Sequence, residues 1–166
     1  MLRKEQLIFK IILKTKNGAN MLTKLSNKVI SDIDLLVIRI ILGVIFIAHG
    51  YPKIFVFGIP GFAKFLGGLG VPLPGLFAVI VSLVEFVGGI VLILGIFSRW
   101  VGLLLAINMI VATLLVKVKV GLIDPMDKPG VGAELDLALF ACALAILVFG
   151  PGSISVELGI FKKEIS

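Results

Sequence analysis

The stretch Leu76–Phe97 reads LFAVIVSLVEFVGGIVLILGIF, 22 residues with one charge, Glu85, near the middle. About 20 apolar residues cross the ~30 Å hydrocarbon core of a bilayer. A helix crosses there with every backbone group paired. The stretch therefore predicts a transmembrane helix with a carboxylate at mid-depth. Such a group costs at least about 2.5 kcal/mol on insertion scales, so it faces a bundle interior or a water cavity. It needs a partner.

The rest of the chain agrees with a membrane setting. Of 166 residues, 59% are hydrophobic and only 16% charged; soluble domains carry roughly 25% charged. Mean hydropathy is +1.18. The net charge of +6 does not point to nucleic acid, because the basic residues sit between apolar stretches as topology signals do. One cysteine, Cys142, excludes an intrachain disulfide, and one cysteine with one histidine excludes a multi-ligand Cys/His metal site.

Outward from the central stretch, three more apolar segments appear. Leu35–Tyr51 holds Arg39 near its start and His49 near its end, followed by Pro52 and Lys53. Trp100–Val116 lies between Arg99 and Lys117, with Asn108 mid-span. Ala133–Phe149 carries Glu134 and Asp136 at its start, and Gly150-Pro151-Gly152 ends it. Residues 54–75 are rich in Gly, Pro and Phe, which predicts a short interfacial helix around Gly61–Phe65 and then a turn. The expected fold is all-α: a transmembrane four-helix bundle over residues 35–158, with a polar tail at 159–166. Residues 1–34 form a basic lead whose apolar run, broken by Lys10, suits a helix lying on the membrane surface. Met21 is a second plausible start.

Four spans put both termini on one side. Ten lysines and arginines flank that side and five the other. The positive-inside rule then places both termini in the cytoplasm of a plasma-membrane protein. A start at Met21 would level the two counts at five each.

Helical spacing groups the polar residues. At about 100° per residue, Arg39, Gly43, Phe46, Gly50 and Lys53 share one stripe of the first span, and Ser82, Glu85, Gly88 and Gly89 share one of the second. Small residues let membrane helices approach closely, so the two stripes are expected to face each other, with Gly43, Gly50, Gly88 and Gly89 as packing positions. The candidate intramembrane polar site is Arg39, Lys53, Glu85 and Glu134, with His49, Asn108 and Asp136 as secondary candidates. They would form a column with Arg39 inside, Glu85 central, His49 and Lys53 beyond it, and Glu134 and Asp136 at the outer mouth. Each also has a plainer reading. Arg39–Glu85 would be an ion pair fixing register, Lys53 an interfacial anchor, His49 a donor to a backbone carbonyl, Asn108 glue between helices, and the two acids solvated residues. No P-loop, dinucleotide fingerprint, haem-attachment or zinc-protease motif is present.

These residues, in their order, resemble the DoxX family of small four-helix membrane proteins over about Leu35 to Leu158. The resemblance rests on Arg39-x3-Gly43, Gly50-x2-Lys53, Gly70-Val71-Pro72, Glu85-x2-Gly88-Gly89, Leu92-x-Leu94-Gly95, Arg99, Glu134 and the closing Gly150-Pro151-Gly152-Ser153-Ile154-Ser155. His49 stands beside this pattern. The resemblance implies the four-helix fold and a place in membrane redox chemistry. Some relatives are membrane subunits of a thiosulfate:quinone oxidoreductase, and others look like partners of sulfur-transfer and superoxide-detoxifying proteins. The expected function is a membrane subunit of a quinone-linked redox complex. The chain shows no cofactor motif of its own, so its electrons come from a redox or sulfur-transfer partner protein. The alternatives are a non-catalytic anchor or scaffold, or a small transporter, which would need a homo-oligomer to form a path.

Overall fold

The computed structural model describes residues 32–118, 121–123 and 132–161. The basic lead up to residue 31, most of the 117–132 loop and the tail from residue 162 lie outside the described residues, so the expected surface helix does too. Among the described residues all regular structure is helical. Helix α1 is Asp32–Phe55, α2 Gly58–Gly68 and α3 Pro74–Leu94. Helix α4 is Ser98–Ala112, continued by a π-helical turn Thr113–Lys117. Helix α5 is Glu134–Phe149 and α6 Val156–Phe161.

Three of these elements, α1, α3 and α4 with its π-turn, are long and apolar enough to cross a membrane. Their outer faces keep large apolar side chains exposed, among them Ile41, Leu83 and Leu104. Lipid tails solvate such a surface; water would not. Helix α5 has 16 residues, about 24 Å at ~1.5 Å per residue, and packs along α4. The core lies between the helices, built on Leu42, Phe46, Leu92, Leu105, Ala143 and Ile146.

Glycines set the helix spacing. A Cβ on Gly89 would lie 2.7 Å from the Gly43 carbonyl oxygen, and one on Gly43 would lie 2.7 Å from that of Gly89. The α1 and α3 stripes therefore meet backbone to backbone. Gly102 plays the same part between α4 and α5, where a Cβ would lie 2.9 Å from the Ala143 carbonyl oxygen. Gly88 instead faces α4, with room for a Cβ 3.5 Å from Val101.

Three boundaries differ from the sequence reading. Helix α1 runs on through Pro52 to Phe55, so Lys53 is a helical residue rather than one beyond the end. Proline in the last turn removes one hydrogen bond to the carbonyl four residues back, and the next turn still closes, with Val56 and Phe57 donating to the Pro52 carbonyl at 3.1 and 2.8 Å. Helix α2 spans eleven residues and stops at a Schellman turn: Gly70, at φ +80°, and Val71 donate back to Gly67 and Leu66. Beyond Gly150 the chain turns back and forms α6, which overlaps the first three residues of the expected 159–166 tail.

Candidate functional site

Glu85 is 3% exposed, and both of its oxygens are engaged. Gly50 makes this possible. With no side chain there, the backbone of Phe86 comes within 2.6 Å of where a Cβ would sit. Lys53, one turn further along α1, is thereby held over Glu85. Its ammonium donates to Glu85 Oε2 in a close ion pair, and Asn108 Nδ2 of α4 donates to Oε1 at 2.9 Å. One carboxylate thus ties together α1, α3 and α4. The charge–charge pair supplies the partner that a mid-membrane carboxylate requires.

Lys53 also borders a cavity of about 700 Å³, within the range of small-molecule sites. Ala48, His49, Pro52 and Lys53 of α1 line one side, and Phe57, Gly61, Phe62 and Phe65 line the other. The ammonium lies 4.8 Å from the centre of the Phe62 ring, a cation–π distance. His49 is exposed on this wall, and its Nδ1 bonds the Ile45 carbonyl at 2.8 Å. A carbonyl only accepts, so Nδ1 carries the hydrogen and Nε2 keeps its lone pair when the ring is neutral. The site combines an apolar, aromatic hollow with two nitrogenous side chains, one of them already charge-balanced.

The predicted column is not one column. Arg39 is 1% exposed and sits at the opposite end of the bundle, where it donates to the carbonyls of Pro151, Ile154 at 2.9 Å and Ile93 at 3.4 Å. The Arg39–Glu85 pair is not formed. A charge near the start of α1 finds nearer acceptors where α3 ends and the chain returns after α5. Asp136 is buried in a second cluster, with Lys117 Nζ at 3.1 Å and Thr113 Oγ1 at 3.4 Å, at the π-turn. Glu134, the acid preferred on sequence, is exposed. It lies on the first turn of α5 with Asp136, two positions away, and helical geometry turns neighbours at that spacing to different sides.

The sequence reading missed several contributors. Phe62 and Phe65 fall within the expected interfacial helix, but their spacing of three, which puts both on one face, is not read there as a cavity wall. Lys117, expected to begin the loop after the third span, ends the π-turn and pairs with Asp136. Asp32 and Glu157 were overlooked: Asp32 accepts from Ser153 N–H at 2.9 Å, and Glu157, fully buried, accepts from Phe97 N–H at 2.9 Å. Nothing periodic in the sequence signals either contact.

Comparison with known proteins identifies the family. The DoxX family model matches residues 35–118, which run from α1 to the end of the π-turn. A protein of Bacillus subtilis (strain 168) named "Putative oxidoreductase CatD" is 31% identical over 134 residues, covering 80% of this chain and 91% of that protein. The "Inner membrane protein YphA" of Escherichia coli (strain K12) is 31% identical over 128 residues, covering 74% and 87%. No solved structure matches the chain. With half the chain matched to the family model, and two relatives 31% identical over most of their own length, the chain belongs to the DoxX family of membrane proteins.

Proposed function

We propose that this protein is the membrane subunit of a quinone-linked redox complex, with the cavity between α1 and α2 as the quinone site. The observation that carries the reading is the cavity's wall. It is apolar and aromatic, as a flat ring needs, and it exposes an ammonium whose charge Glu85 already balances, so a neutral oxygen-bearing ring meets a donor without a net charge. The name of the Bacillus relative supports oxidoreductase chemistry. The chain has a single cysteine, and among the described residues no three potential metal ligands cluster. The two electrons that a quinone takes up, with two protons, come from a partner protein of sulfur-transfer, flavin or iron–sulfur type. In this reading α5 is the fourth span and both termini are cytoplasmic, which puts the cavity toward the outer leaflet.

The test is reduction of a short-tailed quinone by native membranes carrying wild-type protein or Glu85→Gln at equal abundance. The variant is expected to lose at least tenfold in turnover. Equal turnover overturns the proposal.

A second reading, a scaffold without catalysis, draws on the same triad. Lys53, Glu85 and Asn108 satisfy one another across three helices, which is what a lock between helices needs. A scaffold predicts that Lys53→Met with Glu85→Leu keeps the complex assembled and active, since well-packed apolar replacements of a buried pair are often tolerated.

A further inference from the structure

We propose that His49 reads the oxidation state of the head group in this cavity: its Nε2 accepts a hydroxyl hydrogen of the hydroquinone, so the site holds the reduced form more tightly than the quinone. This rests on the quinone reading above and adds a residue and a preference to it. The bond from Nδ1 to the Ile45 carbonyl fixes the ring and its tautomer, leaving Nε2 as an acceptor on a cavity-lining residue. Pro52, one turn on and also lining the cavity, has no N–H to give the Ala48 carbonyl, which loses its usual helical donor on the same wall. The wall therefore offers acceptors. Against them stands one strong donor, Lys53, which is already committed to Glu85 and to the face of Phe62.

A quinone has only acceptor oxygens. It can bond Lys53 and leaves Nε2 unmatched. A hydroquinone carries two hydroxyls, each a donor and an acceptor. One can donate to Nε2 while an oxygen accepts from Lys53. His49 and Lys53 are four residues apart on α1, so they stand one above the other on a single face, about 5–6 Å apart at Cβ. A six-membered ring packed on Phe62 can present one oxygen to each. Its apolar tail leaves past Phe57 and Phe65, which are 66% and 53% exposed.

The preference has a redox meaning. Whatever binds the reduced form more tightly raises the potential of the bound couple. A tenfold preference raises a two-electron couple by about 30 mV. A quinone in this cavity is then a better acceptor for the partner's electrons than one free in the bilayer.

The experiment uses full-length protein in lipid nanodiscs, with decylubiquinone and its chemically reduced hydroquinone titrated anaerobically by calorimetry. Wild type is expected to bind the hydroquinone about 3- to 10-fold more tightly, the weight of one hydrogen bond. His49→Phe is expected to bind both forms equally. His49→Gln, which keeps an acceptor oxygen, is expected to retain part of the preference. A preference that survives in His49→Phe, or is absent from wild type that binds both forms, overturns the role of His49 and leaves the quinone site standing. Wild type that binds neither form overturns both.

Discussion

Lys53 and Glu85, 32 positions apart in sequence, join the last turn of α1 to the middle of α3 and share a side-chain ion pair. The Glu85 side chain is 4% exposed and that of Lys53 20%, so the lysine bridges the packed interior and the cavity. The contact belongs both to the helix packing and to the cavity wall, and substitutions here separate the two roles.

Removing one partner leaves a charge without its counter-charge in a low-dielectric setting. Lys53→Met alone is expected to destabilise the protein by about 3 kcal/mol, at the low end for breaking buried pairs because the lysine is partly exposed. Lys53→Met with Glu85→Leu is expected to recover at least half of that. Thermal unfolding of all four members of the double-mutant cycle in one detergent checks it; equal losses in the single and double variants would refute it.

The glycine stripe predicts a contrast between neighbours. Gly89→Ala drives a methyl against the Gly43 carbonyl, which cannot yield without parting α1 from α3, and is expected to cost about 1–3 kcal/mol. Gly88→Ala meets only Val101 at 3.5 Å and is expected to be neutral or slightly stabilising, since alanine favours helix over glycine by up to about 1 kcal/mol. Melting temperatures of the two variants decide the point.

The acids at the start of α5 are expected to behave differently. Asp136→Ala strands the Lys117 ammonium, 18% exposed, and is expected to cost about 2 kcal/mol. Glu134→Ala, at an exposed position, is expected to stay within about 0.5 kcal/mol of wild type. The same unfolding assay ranks them.

Arg39 makes a prediction about position. Its guanidinium reaches carbonyls of three residues, a geometry that a lysine's single ammonium does not reproduce. Arg39→Lys is expected to lose about 2 kcal/mol of stability while leaving any binding at the proposed quinone site unchanged, because the cavity lies at the far end of α1. A fall in affinity without a fall in stability would contradict this assignment.

Much of this arrangement could be read from the chain. The three long helices and the facing of Gly43 and Gly50 toward α3 follow from apolar length and helical spacing, which are local. The partner of Glu85 is half legible: Lys53 and Glu85 were placed on facing stripes, but Pro52 looked like the end of a helix that in fact closes one turn later. What was lost was long-range and irregular. Arg39 bonds residues 112 and 115 positions away, in a turn whose sequence, Gly-Pro-Gly-Ser, says only that a helix stops. Glu157 stands unremarked at the end of the expected membrane domain because a six-residue helix leaves almost no periodic signature.

The placement of Arg39 bears on how the chain is made. Arg39 enters the membrane with α1, yet two of its three acceptors belong to residues 151 and 154, which are translated only after α3, α4 and α5. Until then its charge must be carried by water, lipid headgroups or the insertion machinery. Only a chain translated past Ile154 can bury it. A product truncated near Phe149 would keep all its long apolar helices and still display an unsatisfied guanidinium within α1, a mark by which membrane quality control can tell an unfinished molecule from a finished one.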